Sequence, residues 1–240
     1  MIKLEKKESI YFLTLDAGEN RWNTTFVKEI AKALDTIEDD EGQGALITSS
    51  TDSKFFSNGL DLEWMQAPED HPDGGDREVF GEEFMYLMGR FITLPIPTVC
   101  ALNGHTFGAG FMFALSHDFR IMREDRGFLC ANEMQLGLPI PRPELALFKH
   151  KIPANAFFET VQLSKRWTGN DAFKAGIVQG VSSFEELSKT ALGKAKELAP
   201  LANNRKNFGQ QKEMLYGENA ATNLNHGPAH MLKNSKDFEV

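Results

Sequence analysis

Between residues 98 and 115 the chain passes from an apolar stretch, Thr98-Val99-Cys100-Ala101-Leu102, through a glycine-rich turn into a second apolar stretch, Phe111-Met112-Phe113-Ala114-Leu115. The first stretch is short, lacks polar alternation and ends at Asn103-Gly104, the pattern of a strand buried on both faces. Such a strand needs helices on either side of its sheet, so the segment constrains the chain to α/β layers. The turn between, Asn103-Gly104-His105-Thr106-Phe107-Gly108-Ala109-Gly110, has two readings. Glycine and alanine let backbone N–H groups come close to a ligand, and a helix start presents unpaired donors with partial positive charge, so the turn can hold an anion or a developing oxyanion. The same residues can equally serve close packing of strand on helix alone.

Elsewhere strands and helices alternate. Residues 9–15 (SIYFLTL) are aromatic and β-branched and form a strand, with residues 2–5 as its pairing partner. Asn23-Thr24-Thr25 offers a helix cap, and Phe26, Ile30, Ala33, Leu34 and Ile37 recur at helical spacing to near Asp39. Residues 45–48 (ALIT) form a buried strand closed by the polar run SSTDS. Residues 67–76, with two prolines, two glycines and four acids, have the composition of a surface loop. Phe80, Phe84, Leu87, Met88 and Phe91 predict a helix over 79–94, stopped by Pro95 and Pro97. A strand follows at 119–122, and from Ala154 onward the pattern is nearly all helical, with one strand-like interruption at 176–181. No repeat and no sharp change of composition marks a second independent domain. The expectation is an α/β core over residues 1–195 with an α-helical C-terminal region over 196–240.

Charge excludes one class of partner. A net charge of -8 with a pI near 5.3 argues against nucleic acid, whose non-specific binding needs clustered Lys and Arg, while leaving room for a small anionic ligand in a local basic pocket. No segment approaches the roughly 20 apolar residues of a membrane span. The charged start MIKLEKKESI is unlike a signal peptide, and the end, Lys236-Asp237-Phe238-Glu239-Val240, is not a peroxisomal address, so a soluble, intracellular and cytoplasmic protein is expected. The two cysteines, Cys100 and Cys130, read as buried free thiols, and the histidines show no metal-ligand spacing.

A second strand, turn and helix start lies about fifty residues upstream of the first, at Lys54-Phe55-Phe56-Ser57-Asn58-Gly59-Leu60-Asp61-Leu62. Two such turns can each supply one N–H to a single oxygen, the usual construction of an oxyanion hole. FFSNGLDLEWM matches an F-S-x-G-x-D-L signature, and PTVCALNGHTFGAGFMFALSHDFRIM, ANEMQLGLPIP and WTGNDAFKAGIVQGV continue the similarity over most of residues 5–200. In these segments the chain resembles the crotonase (enoyl-CoA hydratase/isomerase) superfamily, and most nearly its Δ3,Δ2-enoyl-CoA isomerase type.

The resemblance implies a spiral of ββα units with C-terminal helices that cover the active site and join subunits into homotrimers or hexamers. It implies an acyl-CoA substrate in fatty-acid β-oxidation, with no cofactor beyond the coenzyme A that the substrate carries. It assigns the oxyanion hole to the backbone N–H groups of Leu60 and Ala109, alanine standing where glycine is common, and proton transfer to Glu133. Hydratases of the family carry two glutamates, and the place of the first is taken here by Met112. With one carboxylate left, a proton can leave C2 of an acyl chain and return at C4, which moves a double bond, whereas water addition lacks its second group. Hydratase, thioester hydrolase and decarboxylase chemistry, or acyl-CoA binding without turnover, remain the alternatives.

The substrate-binding set expected from the resemblance comprises Arg21 and Lys54 as cations for the phosphates, the backbone groups near Phe56, Ser57 and Asn58 beside the adenine, and Asp61, Gly108 and Met112. Trp64, Met65, Phe84, Leu87, Met88 and Met112 are available to line an acyl channel, and equally to fill a core. Glu133 itself reads either as a base whose apolar neighbours raise its pKa or as an exposed helix-start residue behind an Asn132 cap. Asp118 is expected to fix a strand start and His105 to be a packing residue. Glu144, like Glu124 and Asp125, reads by default as an acid without a chemical role, but the PIPRPE stretch departs from the family's small-residue run, so that Arg142 or Glu144 could reach the pocket.

Overall fold

The structure, a computed structural model, describes residues 1–67, 74–218 and 226–238. Most of the expected surface loop at 67–76 and the last two residues of the chain lie outside this set. Strands β1 (Ile2–Lys7) and β2 (Ile10–Leu15) pair antiparallel, with Glu8 in the left-handed region at the bend. Helix α1 (Thr24–Glu38) starts where the Asn23 side chain accepts from the N–H of Phe26 at 2.9 Å, and it buries Phe26, Val27, Ile30, Leu34 and Ile37. The cap and the 3.6-residue apolar stripe are those read from the sequence.

Three strand–strand–helix units follow. The first is β3 (Ala45–Ser50), β4 (Phe55–Ser57) and helices α2 (Leu62–Gln66) and α3 (Phe80–Thr93). The second is β5 (Thr98–Leu102), β6 (His105–Phe107) and α4 (Ala109–Leu115). The third is β7 (Phe119–Arg123), β8 (Leu129–Cys130), a 3-10 turn at Glu133–Leu136 and α5 (Arg142–Lys151). Helices α6 (Ala154–Val161) and α7 (Gly169–Lys174), strand β9 (Gly180–Ser182) and helices α8 (Phe184–Leu198), α9 (Arg205–Tyr216) and α10 (Pro228–Lys233) complete the order. The first strand of each unit enters a six-stranded sheet, ordered β1-β2-β3-β5-β7-β9, and the second enters a three-stranded sheet, β4-β6-β8. Every pairing except β1 with β2 is parallel. This is the ββα spiral that the resemblance implied.

Strand β5 shows why its sequence is apolar throughout. Val99 and Ala101 pack under α8 with Ile10, Ile47, Ile121, Leu187 and Ala191, while Cys100 and Leu102 face the larger core with Leu13, Leu46 and Met122. Successive side chains of a strand point to opposite faces, so burial of both faces removes the polar alternation. Each such side chain contributes about 1.5–3 kcal/mol when fully buried.

Two expectations shift. Residues 103–108, read as one continuous turn, contain the three-residue strand β6, and β8 was not anticipated at all. Strands of two or three residues carry no readable period, and these exist through backbone pairing: the His105 N–H donates to the carbonyl of Lys54 at 2.8 Å, and the Thr106 N–H to that of Phe128 at 2.9 Å. Gly104 permits the first pairing, since a Cβ there would stand 2.2 Å from the Lys54 oxygen. The strand-like interruption expected at 176–181 is a turn through residue 179 and a strand only from Gly180.

The C-terminal helices are tied to the core at named points. α10 packs on α3 and α5, and Lys233 donates from Nζ to Thr93 Oγ1 at 2.8 Å. Asp118, just before β7, accepts from the Thr98 N–H at 2.9 Å and from Lys212 Nζ on α9 at 2.7 Å. It fixes the start of β5, and α9 with it. Both cysteines are free and buried, and among the described residues no helix is long and apolar enough to cross a membrane.

Candidate active site

Parallel pairing of β4 with β6 sets the turns that follow them side by side. Gly59 in the first turn has φ +80°, open to glycine and strained for other residues, and a Cβ there would lie 2.9 Å from the Phe107 oxygen and 3.9 Å from the Ala109 nitrogen. The convergence that the sequence left open is therefore a direct backbone contact. Trp22 bridges the same turn: its N–H donates to the Gly59 carbonyl at 2.8 Å and its carbonyl accepts from the Asp61 N–H at 2.9 Å. In a parallel bridge the residue between those two partners turns its own N–H to the other side, so that of Leu60 points away from Trp22. Ala109 is the first residue of α4, where an N–H has no intrahelical acceptor. Among the described residues neither N–H has a hydrogen-bond partner.

The third unit brings the carboxylate. The Gly108 N–H donates to the Cys130 carbonyl at the end of β8 at 3.0 Å, which lays residues 130–133 against the start of α4. A Cβ on Gly108 would sit 3.1 Å from Glu133 Oε1, next to the free N–H of Ala109. Glu133 Oε2 is buried with no partner among the described residues, and burial raises the pKa of the carboxyl above its ordinary value. Asn132 makes no capping hydrogen bond and Glu133 is half-buried, so the exposed helix-start alternative does not describe it.

A cavity of about 290 Å³ opens over these groups. Leu60, Gly108, Ala109 and Glu133 form its polar end, and Phe80, Phe84, Met112 and Leu138 line apolar wall. One further carboxyl is in that wall: Glu144, in the first turn of α5, lines the cavity at 6% exposure. The sequence left Glu144 by default an ordinary acid that could, like Arg142, reach the pocket; Glu144 lines it, whereas Arg142 is exposed and does not. Burial, with Glu133 adding its charge, pushes the pKa of Glu144 up to about 8.

Residues 5–234 match the family described as enoyl-CoA hydratase/isomerase. The chain belongs to that family. Among its relatives, enoyl-CoA delta isomerase 2, peroxisomal, of Arabidopsis thaliana is 35% identical over 189 residues, 78% of this chain and 79% of the relative. Enoyl-CoA delta isomerase 3 of the same plant is 32% identical over 222 residues, 91% of this chain and 93% of the relative. The crystal structure of human mitochondrial delta3-delta2-enoyl-CoA isomerase superposes with a TM-score of 0.82 at 24% identity, covering 98% of this chain and 87% of that one, which supports the fold.

Of the residues anticipated for this family member's site, the cavity gathers Leu60, Ala109, Glu133, Asn58, Gly108 and Met112. Others lie elsewhere. Phe56 and Ser57 are core residues, and Ser57 Oγ accepts from Trp22 Nε1 at 3.0 Å and donates to the Asn20 carbonyl at 2.7 Å, bracing the first turn from behind. Asp61 caps α2 by accepting from the Trp64 N–H at 3.2 Å. With Arg21 it lines a different, more polar cavity, where Arg21 is paired with Glu19 at 2.8 Å and Glu63 at 3.3 Å. The Lys54 ammonium lies 4.8 Å from the Phe55 ring centre, away from the cavity. Of the acyl-channel candidates Phe84 and Met112 line the cavity, while Trp64, Leu87 and Met88 pack into the core and Met65 against it. His105 stacks on Phe107 at 5.5 Å as a packing residue.

Two expected outcomes arise from this geometry. Gly108 has φ +47° and ψ -118°, so Gly108→Ala strains the backbone and drives a methyl against Glu133 Oε1. A loss of tenfold or more in turnover is expected, since a misplacement of about 1 Å can cost 10²-fold. Steady-state kinetics on the folded variant check this, and unchanged kcat would contradict the placement of Glu133.

The second outcome concerns pH. The folded-state pKa of Glu144, about 8, lies above the ordinary glutamate value of about 4.3. Its contribution to stability is fully present below the lower value and is lost as pH rises through the upper one, at up to about 1.4 kcal/mol per pH unit. Glu133 is the charged group that acts on it. Glu144→Gln removes this loss, so the melting temperature of the variant relative to wild type should climb by roughly 10 °C between pH 5 and pH 8. A pH-independent difference would show that Glu144 does not titrate in the folded protein.

Proposed function

We propose that this enzyme is an enoyl-CoA isomerase that moves the 3,4 double bond of an acyl-CoA to the 2,3 position in fatty-acid β-oxidation. The observation that carries the reading is the position of the Glu133 carboxyl against Gly108, beside two backbone N–H groups without partners among the described residues. Removing a proton from C2 of a thioester puts charge on the carbonyl oxygen, and N–H groups of Leu60 and Ala109 aimed at that oxygen stabilise the enolate. One such donor is worth about 2.7–4 kcal/mol. Glu133, with a pKa raised by burial, is a stronger base than an exposed glutamate, and it returns a proton at C4 to complete the shift. Coenzyme A enters as part of the substrate. The names of the Arabidopsis relatives support isomerisation over the other chemistries of the family.

That choice no longer rests on counting carboxylates. Met112 stands where hydratases of the family carry a glutamate, yet Glu144 supplies a second carboxyl to the same cavity. Hydration therefore remains the second reading, and one assay separates the two. Incubation with 3-hexenoyl-CoA should yield 2-trans-hexenoyl-CoA, and incubation with 2-trans-hexenoyl-CoA should yield little 3-hydroxyhexanoyl-CoA. Rapid hydration without isomerisation would replace the first reading by the second.

A further inference from the structure

Among the described residues, Glu144 is the one carboxyl of the cavity that this mechanism leaves unused. It has no cation and no hydrogen-bond donor among the described residues, and it is buried at 6% exposure in a wall made largely of apolar side chains. A buried carboxyl with nothing to neutralise its charge is held in the acid form. It then carries a proton, and it faces the space into which Glu133 also projects. The two carboxyls reach that space from different elements, Glu133 from the 3-10 turn after β8 and Glu144 from the first turn of α5.

We propose that Glu144 is a second catalytic residue of the isomerisation and takes over from Glu133 the delivery of the proton to C4, while Glu133 removes the proton at C2. The proposal rests on the isomerase reading above. The step balances as follows. Glu133 carboxylate takes the C2 proton, and the C2–H pair forms a dienolate whose oxygen is held by the N–H groups of Leu60 and Ala109. The C3–C4 π pair then takes the proton of the Glu144 carboxyl, forming C4–H, while the enolate collapses to the C2–C3 double bond and the thioester carbonyl. Glu133 ends protonated and Glu144 ionised. Water restores both before the next turnover, by accepting a proton from the first and delivering one to the second.

A substrate deuterated at both C2 positions, 3-hexenoyl-CoA turned over in ordinary water, reads this directly. If Glu144 protonates C4, the new hydrogen there comes from solvent, and fewer than about a tenth of product molecules should carry deuterium at C4. In Glu144→Gln, turnover should fall tenfold or more, and the residual product should carry deuterium at C4, because Glu133 must then return what it removed. General acid groups typically contribute 10²–10⁴-fold. Most wild-type product labelled at C4, or a Glu144→Gln variant within threefold of wild type, overturns the proposal and leaves the isomerase reading intact. Deuterium at C4 in most wild-type product overturns the proposal even if the variant does not fold. Absence of wild-type isomerisation removes the isomerase reading, and this proposal with it.

Discussion

Replacing Glu133 by Gln should lower kcat for 3-hexenoyl-CoA isomerisation by about 10³-fold or more while leaving KM within a fewfold of wild type. The amide is nearly isosteric, so the cavity keeps its shape and the N–H groups of Leu60 and Ala109 keep their positions. What disappears is the basic oxygen that lies over Gly108. The effect falls on kcat because a proton acceptor is used in the transition state and contributes little to holding the thioester. Folding should not suffer. Oε2 of Glu133 is buried without a partner among the described residues, so the wild-type carboxylate already bears a desolvation cost that a neutral amide lessens. Equal kcat for the variant and the wild-type enzyme, in a preparation with unchanged melting temperature, would remove Glu133 from the chemistry and with it the proposed mechanism.

The largest effect on stability is expected far from the cavity. Lys212→Met should cost about 3–5 kcal/mol, or on the order of 10 °C in melting temperature for a chain of this size. Lys212 is 4% exposed and places Nζ 2.7 Å from Asp118 and 3.1 Å from the carbonyl of Ile96. Burial works against the ionised form of Asp118, but Lys212 and Lys151 hold its carboxyl below the usual carboxylate range. Removing Lys212 leaves that charge to Lys151 and Arg120 and detaches α9 from the start of β5. Truncating one partner of a buried pair costs more than the pair contributes, because the other charge stays behind. Urea denaturation measures the change, and a loss under 1 kcal/mol would show that Lys151 and Arg120 replace the missing cation.

The sequence carried the large sheet and the helices well, because α1, α3 and β5 each bury enough side chains to leave a period or an unbroken apolar run. It carried the small sheet poorly. β6 and β8 are too short to show a period, and what defines them is pairing to residues distant in the chain. The site follows the same division. The two turns and Glu133 were legible as motifs, but their meeting depends on the β4–β6 register and on the Gly108–Cys130 hydrogen bond, neither of which is written locally. Glu144 was visible only as a departure from a small-residue run. In composition it is an ordinary acid in the first turn of a helix, a position that usually faces water. The side chains of Phe56 and Ser57, which belong to the signature by sequence, brace the turn from behind.

The three units divide the labour of the site. The first and second each lend one backbone N–H, and the third lends both carboxyls, through residues 133–144. A backbone N–H survives nearly any side-chain substitution, whereas a carboxyl is lost in a single one. In the proposed mechanism, thioester activation is thus written into the path of the main chain and is robust to mutation, while the outcome of the reaction is written into one short, largely exposed segment. Grafting that segment between members of the family is therefore the economical route to new chemistry on this scaffold, because the oxyanion-binding half travels with the fold.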